Sequence, residues 1–233
     1  MQAPLVVFIP GFMQRGEAWS PVAQRVAERY PTLCLDFATH TFEGRLAELR
    51  AAAPRGSVLA GYSMGGRLAL HLAVREPERY GALVVVGASA GIEDSAERRR
   101  RRAADAALAD RLELQPIERT VSEWETQPVF EGQSPELVAA QRPGRLSHRP
   151  HELASLLRSA GQGALEPLWP RIPSLPMPLL AVAGERDTRY VAAGSRLAEL
   201  APLGSTAVVP GAGHAAHLER PGEVADLVAG NFS

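Results

Sequence analysis

A doubly wound, mostly parallel α/β sheet with an inserted helical cap is predicted by three observations. First, six short Val/Leu/Ile-rich runs recur at Leu5–Ile9, Thr32–Phe37, Ser57–Ala60, Leu83–Val86, Leu179–Ala183 and Ala207–Val209. Each is continuously apolar instead of alternating, as strands covered on both faces should be. Second, stretches with helical spacing separate these runs, and β–α alternation implies a parallel sheet with right-handed crossovers. Third, no run from about Ile92 to Ile172 reads as a strand, and helix signals dominate there. The expected organisation is a core of residues 1–91 and 173–233 with a cap at 92–172.

Each element has a local reason. Ser20-Pro21 reads as an N-cap followed by a first-turn proline, opening a helix to Tyr30. Leu46–Ala53, Met64–Arg75, Val191–Leu200 and Glu223–Ala229 follow as core helices. The cap helices are expected at Ala96–Leu114, Pro116–Trp124, Pro135–Ala140 and His151–Ala160. Hinges are expected near Gly87–Gly91 and in the proline-rich return, Pro173–Pro178. The cap enters just after the strand that follows a glycine-flanked serine, so it is expected to cover the carboxyl edge of the sheet.

That serine is the most informative residue. Gly61-Tyr62-Ser63-Met64-Gly65-Gly66-Arg67 directly follows an apolar strand and opens a helix. This is the nucleophile-elbow pattern of the α/β-hydrolase fold, whose tight turn requires small residues two before and two after the serine. Gly61 and Gly65 meet that need. A serine hydroxyl needs a histidine to take its proton and a carboxylate to orient the histidine. Asp187 and His214 follow the next two strands, in the chain order Ser, Asp, His of this fold. Glu185 is the rival acid and His217 the rival base, while His40, His71, His148 and His151 read as structural or exposed. The oxyanion donors are expected to be the backbone N–H groups of Met64 and Phe12, the second from the loop after the first strand.

Composition excludes several classes. The chain has 233 residues and a net charge of −1, with no bias toward nucleic acid or membranes. No apolar run reaches the roughly 20 residues of a spanning helix. Met1-Gln2-Ala3-Pro4 lacks the basic region of a secretory signal, so a cytoplasmic protein is expected; a monomer is expected too. Cys34 is the single cysteine and reads as a buried bystander. No metal cluster or phosphate-cradling loop is evident, so no metal or cofactor is expected.

Lysine is absent, and the arginines are placed suggestively. Arg67 lies four residues after Ser63, so it either reaches the pocket wall or is a solvated helix arginine. Five consecutive arginines, Arg98–Arg102, wrap around a cap helix, leaving one or two to face the site. Arg145 is a further cap candidate. A local cationic pocket in a near-neutral chain favours a substrate with several carboxylates. Trp124 is either cap core or a pocket wall.

The elbow with its arginine, Ala96-Glu97-Arg98-Arg99, Trp124 before Gln127-Pro128-Val129-Phe130, Arg145-Leu146-Ser147-His148, Gly184-Glu185-Arg186-Asp187 and Ala212-Gly213-His214 together resemble the MenH family. These are 2-succinyl-6-hydroxy-2,4-cyclohexadiene-1-carboxylate synthases of menaquinone biosynthesis. The similarity runs from Leu5 to about Pro221. Pro10 stands where relatives have histidine, and Glu125 where some carry tyrosine. The resemblance implies a lyase that eliminates pyruvate from 2-succinyl-5-enolpyruvyl-6-hydroxy-3-cyclohexene-1-carboxylate, with Ser63 acting as a base. It implies Arg67, Arg101 (or Arg98, one turn earlier) and Arg145 as carboxylate clamps, with Trp124 against the apolar part. A carboxylesterase or thioesterase using Ser63 covalently is the alternative.

Overall fold

The computed structural model describes residues 3–231. Met1 and Gln2, from the stretch that lacks a signal's basic region, lie outside the described residues. The strands are β1 Val6–Ile9, β2 Thr32–Cys34, β3 Val58–Tyr62, β4 Ala82–Val86, β5 Leu179–Gly184 and β6 Gly204–Val209. They form one sheet in the order β2-β1-β3-β4-β5-β6, and every pairing is parallel. Alternation along each strand feeds two cores. Val7, Ile9, Leu59, Leu83 and Val85 pack toward α2 (Phe42–Ala52), α3 (Met64–Arg75) and α8 (Thr188–Leu200). Val6, Phe8, Val58, Val84 and Val86 pack toward α1 (Ser20–Val26) and α9 (Pro221–Gly230). Burying each such side chain is worth about 1.5–3 kcal/mol, so both faces require apolar residues and the runs are unbroken.

Boundaries differ from expectation for identifiable reasons. β2 stops at Cys34, because Asp36 turns aside to accept the Gly16 N–H at 2.8 Å. Cys34 is half-buried on that strand, where burial and then Asp36 raise its thiol pKa. β6 starts three residues early because it pairs along all of β5. It is an edge strand on which only Val209 is buried, which hides its first half from a hydropathy reading. Ser20 is not a cap. Trp19 is the N-cap residue, and Ser20 and Pro21 lie inside the first turn, because a 3₁₀ turn at Gly16–Trp19 runs straight into α1.

Four helices lie between β4 and β5: α4 Ser95–Leu114, α5 Ile117–Glu125, α6 Pro135–Leu146 and α7 Pro150–Ala160. The Asp94 carboxylate caps α4 by accepting the Glu97 N–H at 2.6 Å. α6 runs past Ala140 and through Pro143, near its C-terminal end. α4 packs along α7, and Ala109, Leu112, Val121, Leu153 and Leu157 form a separate small core. Met13, from the loop after β1, completes that core and ties the insertion to the carboxyl edge of the sheet. Among the described residues, no helix is long and apolar enough to cross a membrane.

Candidate active site

The elbow is built by backbone contact. Ser63 has φ +50° and ψ −108°, a conformation that costs a non-glycine residue of order 1–3 kcal/mol. A Cβ on Gly61 would lie 2.4 Å from the Gly65 carbonyl oxygen, and one on Gly65 would lie 2.3 Å from that of Ile9. The turn therefore closes only with glycine at both places. It lifts Ser63 from the carboxyl end of β3 and makes Met64 the first residue of α3, whose N–H has no acceptor within the helix.

Asp187 and His214 leave the same sheet edge. Asp187 precedes α8, yet its carboxylate caps nothing in that helix. Instead Oδ2 lies 2.6 Å from His214 Nδ1, while His214 Nε2 lies 3.4 Å from Ser63 Oγ. Nδ1–H donates to the carboxylate, leaving the Nε2 lone pair for the serine proton. The two loops touch so closely that a Cβ on Gly184 would lie 2.1 Å from the Gly213 carbonyl oxygen. Glu185 is occupied elsewhere, accepting the Gly211 N–H at 2.8 Å. His217 is fully buried behind the site, and burial lowers its pKa to about 3. His71 and His148 are buried, His40 faces Glu152 at 3.2 Å, and His151 is exposed.

A cavity of about 340 Å³ opens above Ser63. Phe12, Met64, Arg67, Arg101, Trp124, Arg145, Asp187 and His214 all line it with the serine. Four guanidinium groups, from Arg67, Arg101, Arg145 and Arg189, face two carboxylates, from Asp105 and Asp187. Arg67 is buried; one of its N–H groups donates to the Ala160 carbonyl at 3.1 Å, and Nε has no partner. Burial lowers its pKa, and it makes no ion pair among the described residues. Arg101 pairs with Asp105 at 2.8 Å and donates to Gln162 at 3.2 Å. Arg145 pairs with Glu125 at 2.9 Å, and Arg142 holds the other oxygen of that carboxylate. Trp124 packs against Phe12 and Phe130, with ring centroids 5.3 and 5.6 Å apart.

One residue expected near the site is not there. Arg98 turns back toward the Ile92 carbonyl and does not reach the cavity, since it lies a helical turn closer to the start of α4. Others were not foreseen. Tyr190 stacks near His214 at 4.8 Å, and its position three residues after Asp187 on a helix was a usable signal. Gln14 and Gln162 line the cavity without any motif to announce them.

The sequence profile of the Alpha/beta hydrolase family matches residues 6–227. A 2-succinyl-6-hydroxy-2,4-cyclohexadiene-1-carboxylate synthase from Enterobacter sp. (strain 638) is 30% identical over 243 residues, covering 97% of this chain and 90% of its own. The chain belongs to this synthase family. The enzyme of the same name from Serratia proteamaculans (strain 568) is 28% identical over 94% of this chain and 89% of its own. A Bacillus subtilis (strain 168) relative, provisionally named for the same activity, is 36% identical over 166 residues. That match spans 70% of this chain but only 61% of the relative's length. The structure of MenH from S. aureus superposes with a TM-score of 0.91 at 28% identity, covering 100% of this chain and 96% of that one. An enol-lactonase from Burkholderia xenovorans LB400, at 17% identity and a TM-score of 0.81, shares the fold.

Proposed function

We propose that this synthase-family chain eliminates pyruvate from 2-succinyl-5-enolpyruvyl-6-hydroxy-3-cyclohexene-1-carboxylate, giving 2-succinyl-6-hydroxy-2,4-cyclohexadiene-1-carboxylate. The relatives' names support the reaction. The observation that carries it is Arg67, a buried cation one helical turn after Ser63 that makes no ion pair among the described residues. An isolated buried charge is costly, so a cavity keeping one is suited to an anion that arrives with the ligand.

The substrate carries three carboxylates. Arg67, Arg101 and Arg145 bind them, and Trp124 packs on the apolar ring. The ring carbon beside the succinyl ketone holds the acidic proton. Ser63 Oγ, relayed to His214 Nε2, removes it, and Asp187 holds the imidazolium that forms. The ring double bond shifts into conjugation, the bond from ring carbon to enolpyruvyl oxygen breaks with its electron pair on oxygen, and the released enolate becomes pyruvate on protonation at carbon. The N–H groups of Phe12 and Met64 stabilise the dienolate oxygen, each worth about 3 kcal/mol in such a site. Residues 92–172 act as the cap, the chain works as a cytoplasmic monomer, and no metal or cofactor takes part.

The assay is pyruvate release by the purified protein, beside a panel of neutral nitrophenyl esters. Arg67→Ala is expected to lose activity on the tricarboxylate far more than on any ester. Equal losses would remove the clamp role, and an acyl-serine trapped during turnover would favour covalent ester hydrolysis.

A further inference from the structure

The deepest unused titratable group among the described residues is His217, which has no solvent exposure. Its ring packs against those of Trp19 at 4.4 Å and Tyr62 at 4.2 Å, and Tyr62 is the residue before Ser63. Among the described residues, His217 makes one polar contact, from Nε2 to Gln14 Nε2 at 3.3 Å, and its Nδ1 has no partner. Gln14 belongs to the loop after β1. Its Oε1 accepts the Gly11 N–H at 3.1 Å, and its own backbone N–H donates to the Gly11 carbonyl at 3.3 Å. Gln14 thus closes the turn that carries Phe12 from both sides. The turn is strained, with Met13 at φ +58° although it is not glycine.

The hydrogen-bond directions can be assigned. The Gly11 N–H can only donate, so the Gln14 oxygen must face it and the Gln14 amide NH₂ must face His217. His217 Nε2 must then be an unprotonated acceptor, with the ring hydrogen on Nδ1. We propose that Gln14, held by neutral His217, is a positioning residue that aims the Gly11–Phe12 peptide so that the Phe12 N–H points into the cavity. Burial of His217 against two aromatic rings keeps it in the neutral form that can accept. Gln14 itself never needs to touch the reacting atoms. The proposal rests on reading Phe12 as an oxyanion donor and is independent of which substrate the cavity takes.

The test uses the full chain and a fluorophosphonate, which attaches to Ser63 Oγ with loss of fluoride and draws on the same oxyanion donors. Gln14→Met keeps the side-chain volume and removes both side-chain hydrogen bonds. It is expected to slow labelling of Ser63 and kcat for pyruvate release by about 10- to 100-fold, with KM changed less than about threefold. His217→Phe keeps the stack and is expected to slow labelling by a smaller factor. The double variant should be no slower than Gln14→Met, because the two residues act as one unit. A labelling rate within twofold of the parent for Gln14→Met, or a fully additive double variant, would overturn the proposal. Nitrogen NMR of labelled histidines in the unsubstituted protein is a second test. It should show His217 protonated on Nδ1 at neutral pH, and the opposite tautomer would overturn the assignment even if no variant folds. A protein that releases no pyruvate, but whose labelling is slowed by Gln14→Met, would refute the lyase reading and leave this one standing.

Discussion

On the sheet side of the cavity, Ser63, Asp187 and His214 are held by backbone packed against backbone. On the insertion side, Arg101, Arg145 and Trp124 are held by other side chains. The elbow and the two loops close at distances that exclude even a methyl group at Gly61, Gly65 and Gly184. The arginines of α4 and α6 instead rest on Asp105 and Glu125, which a bound carboxylate can partly replace. One side is fixed before any ligand arrives, as proton transfer over hydrogen-bond distances demands. The other is an exchangeable charge network, suited to binding an anion and releasing it.

The sharpest test of this contrast is Asp187→Asn, which preserves shape. The amide disfavours the Nδ1–H tautomer of His214, so kcat for pyruvate release should fall by ~10³-fold or more. The melting temperature should stay within a few degrees. A loss of tenfold or less would show that the carboxylate is not the orienting group.

Acid should strain both sides through buried neutral histidines. Burial lowers the pKa of His71 on α3 to about 4, and that of His148 after α6 to about 3. Arg75 and Arg67 add to the effect at His71, as Arg15 and Arg45 do at His148. A lowered folded pKa means that the unfolded chain takes up a proton the fold refuses. Stability from these groups is complete above the unfolded value near 6.5 and is lost as pH falls toward the folded values. Each histidine should contribute a slope of about 1.4 kcal/mol per pH unit between roughly pH 6 and 4, read from urea melts. His71→Asn should remove one such share. An unchanged slope in that variant would mean that His71 is protonated in the fold.

The two sides also differ in how they could be read. Ser63, Asp187 and His214 each follow a strand, and strands announce themselves by apolar runs, so their convergence was legible. Arg67 was half-legible, because helix spacing put it near Ser63 but left solvent as an equal destination. Arg101, Arg145 and Trp124 were placed by family resemblance, since nothing local says which arginine of a run of five faces inward. Arg98 shows the limit: three residues from Arg101 on α4, it binds the Ile92 carbonyl instead. Gln14 and His217 are 203 residues apart and meet only through the fold.

Arg145→Met should separate binding from chemistry on the insertion side. Glu125 keeps Arg142 as a partner, so the buried carboxylate is not stranded. The expected stability loss is about 1–2 kcal/mol, below that for breaking a buried pair outright. The value of kcat/KM for the tricarboxylate should fall about 10- to 100-fold, while fluorophosphonate labelling of Ser63 stays within about threefold. A parallel fall in labelling would mean that Arg145 shapes the serine's surroundings and not the ligand's.

The smallest expected effect completes the comparison, because it repeats on the insertion side the isosteric exchange made at Asp187. Asp105 is almost fully buried in α4 and accepts from Arg101 at 2.8 Å and from the Gly163 N–H at 3.4 Å. In Asp105→Asn the amide oxygen can still receive Arg101, but the charge that competes with the ligand for that guanidinium is gone. KM for the tricarboxylate should therefore fall or hold, and kcat should change by less than about threefold. The same substitution of carboxylate by amide would then differ by about three orders of magnitude between two residues lining one cavity. If Asp105→Asn lost as much kcat as Asp187→Asn, Arg101 would need its carboxylate for catalytic geometry, and the insertion side would be as rigidly determined as the sheet edge.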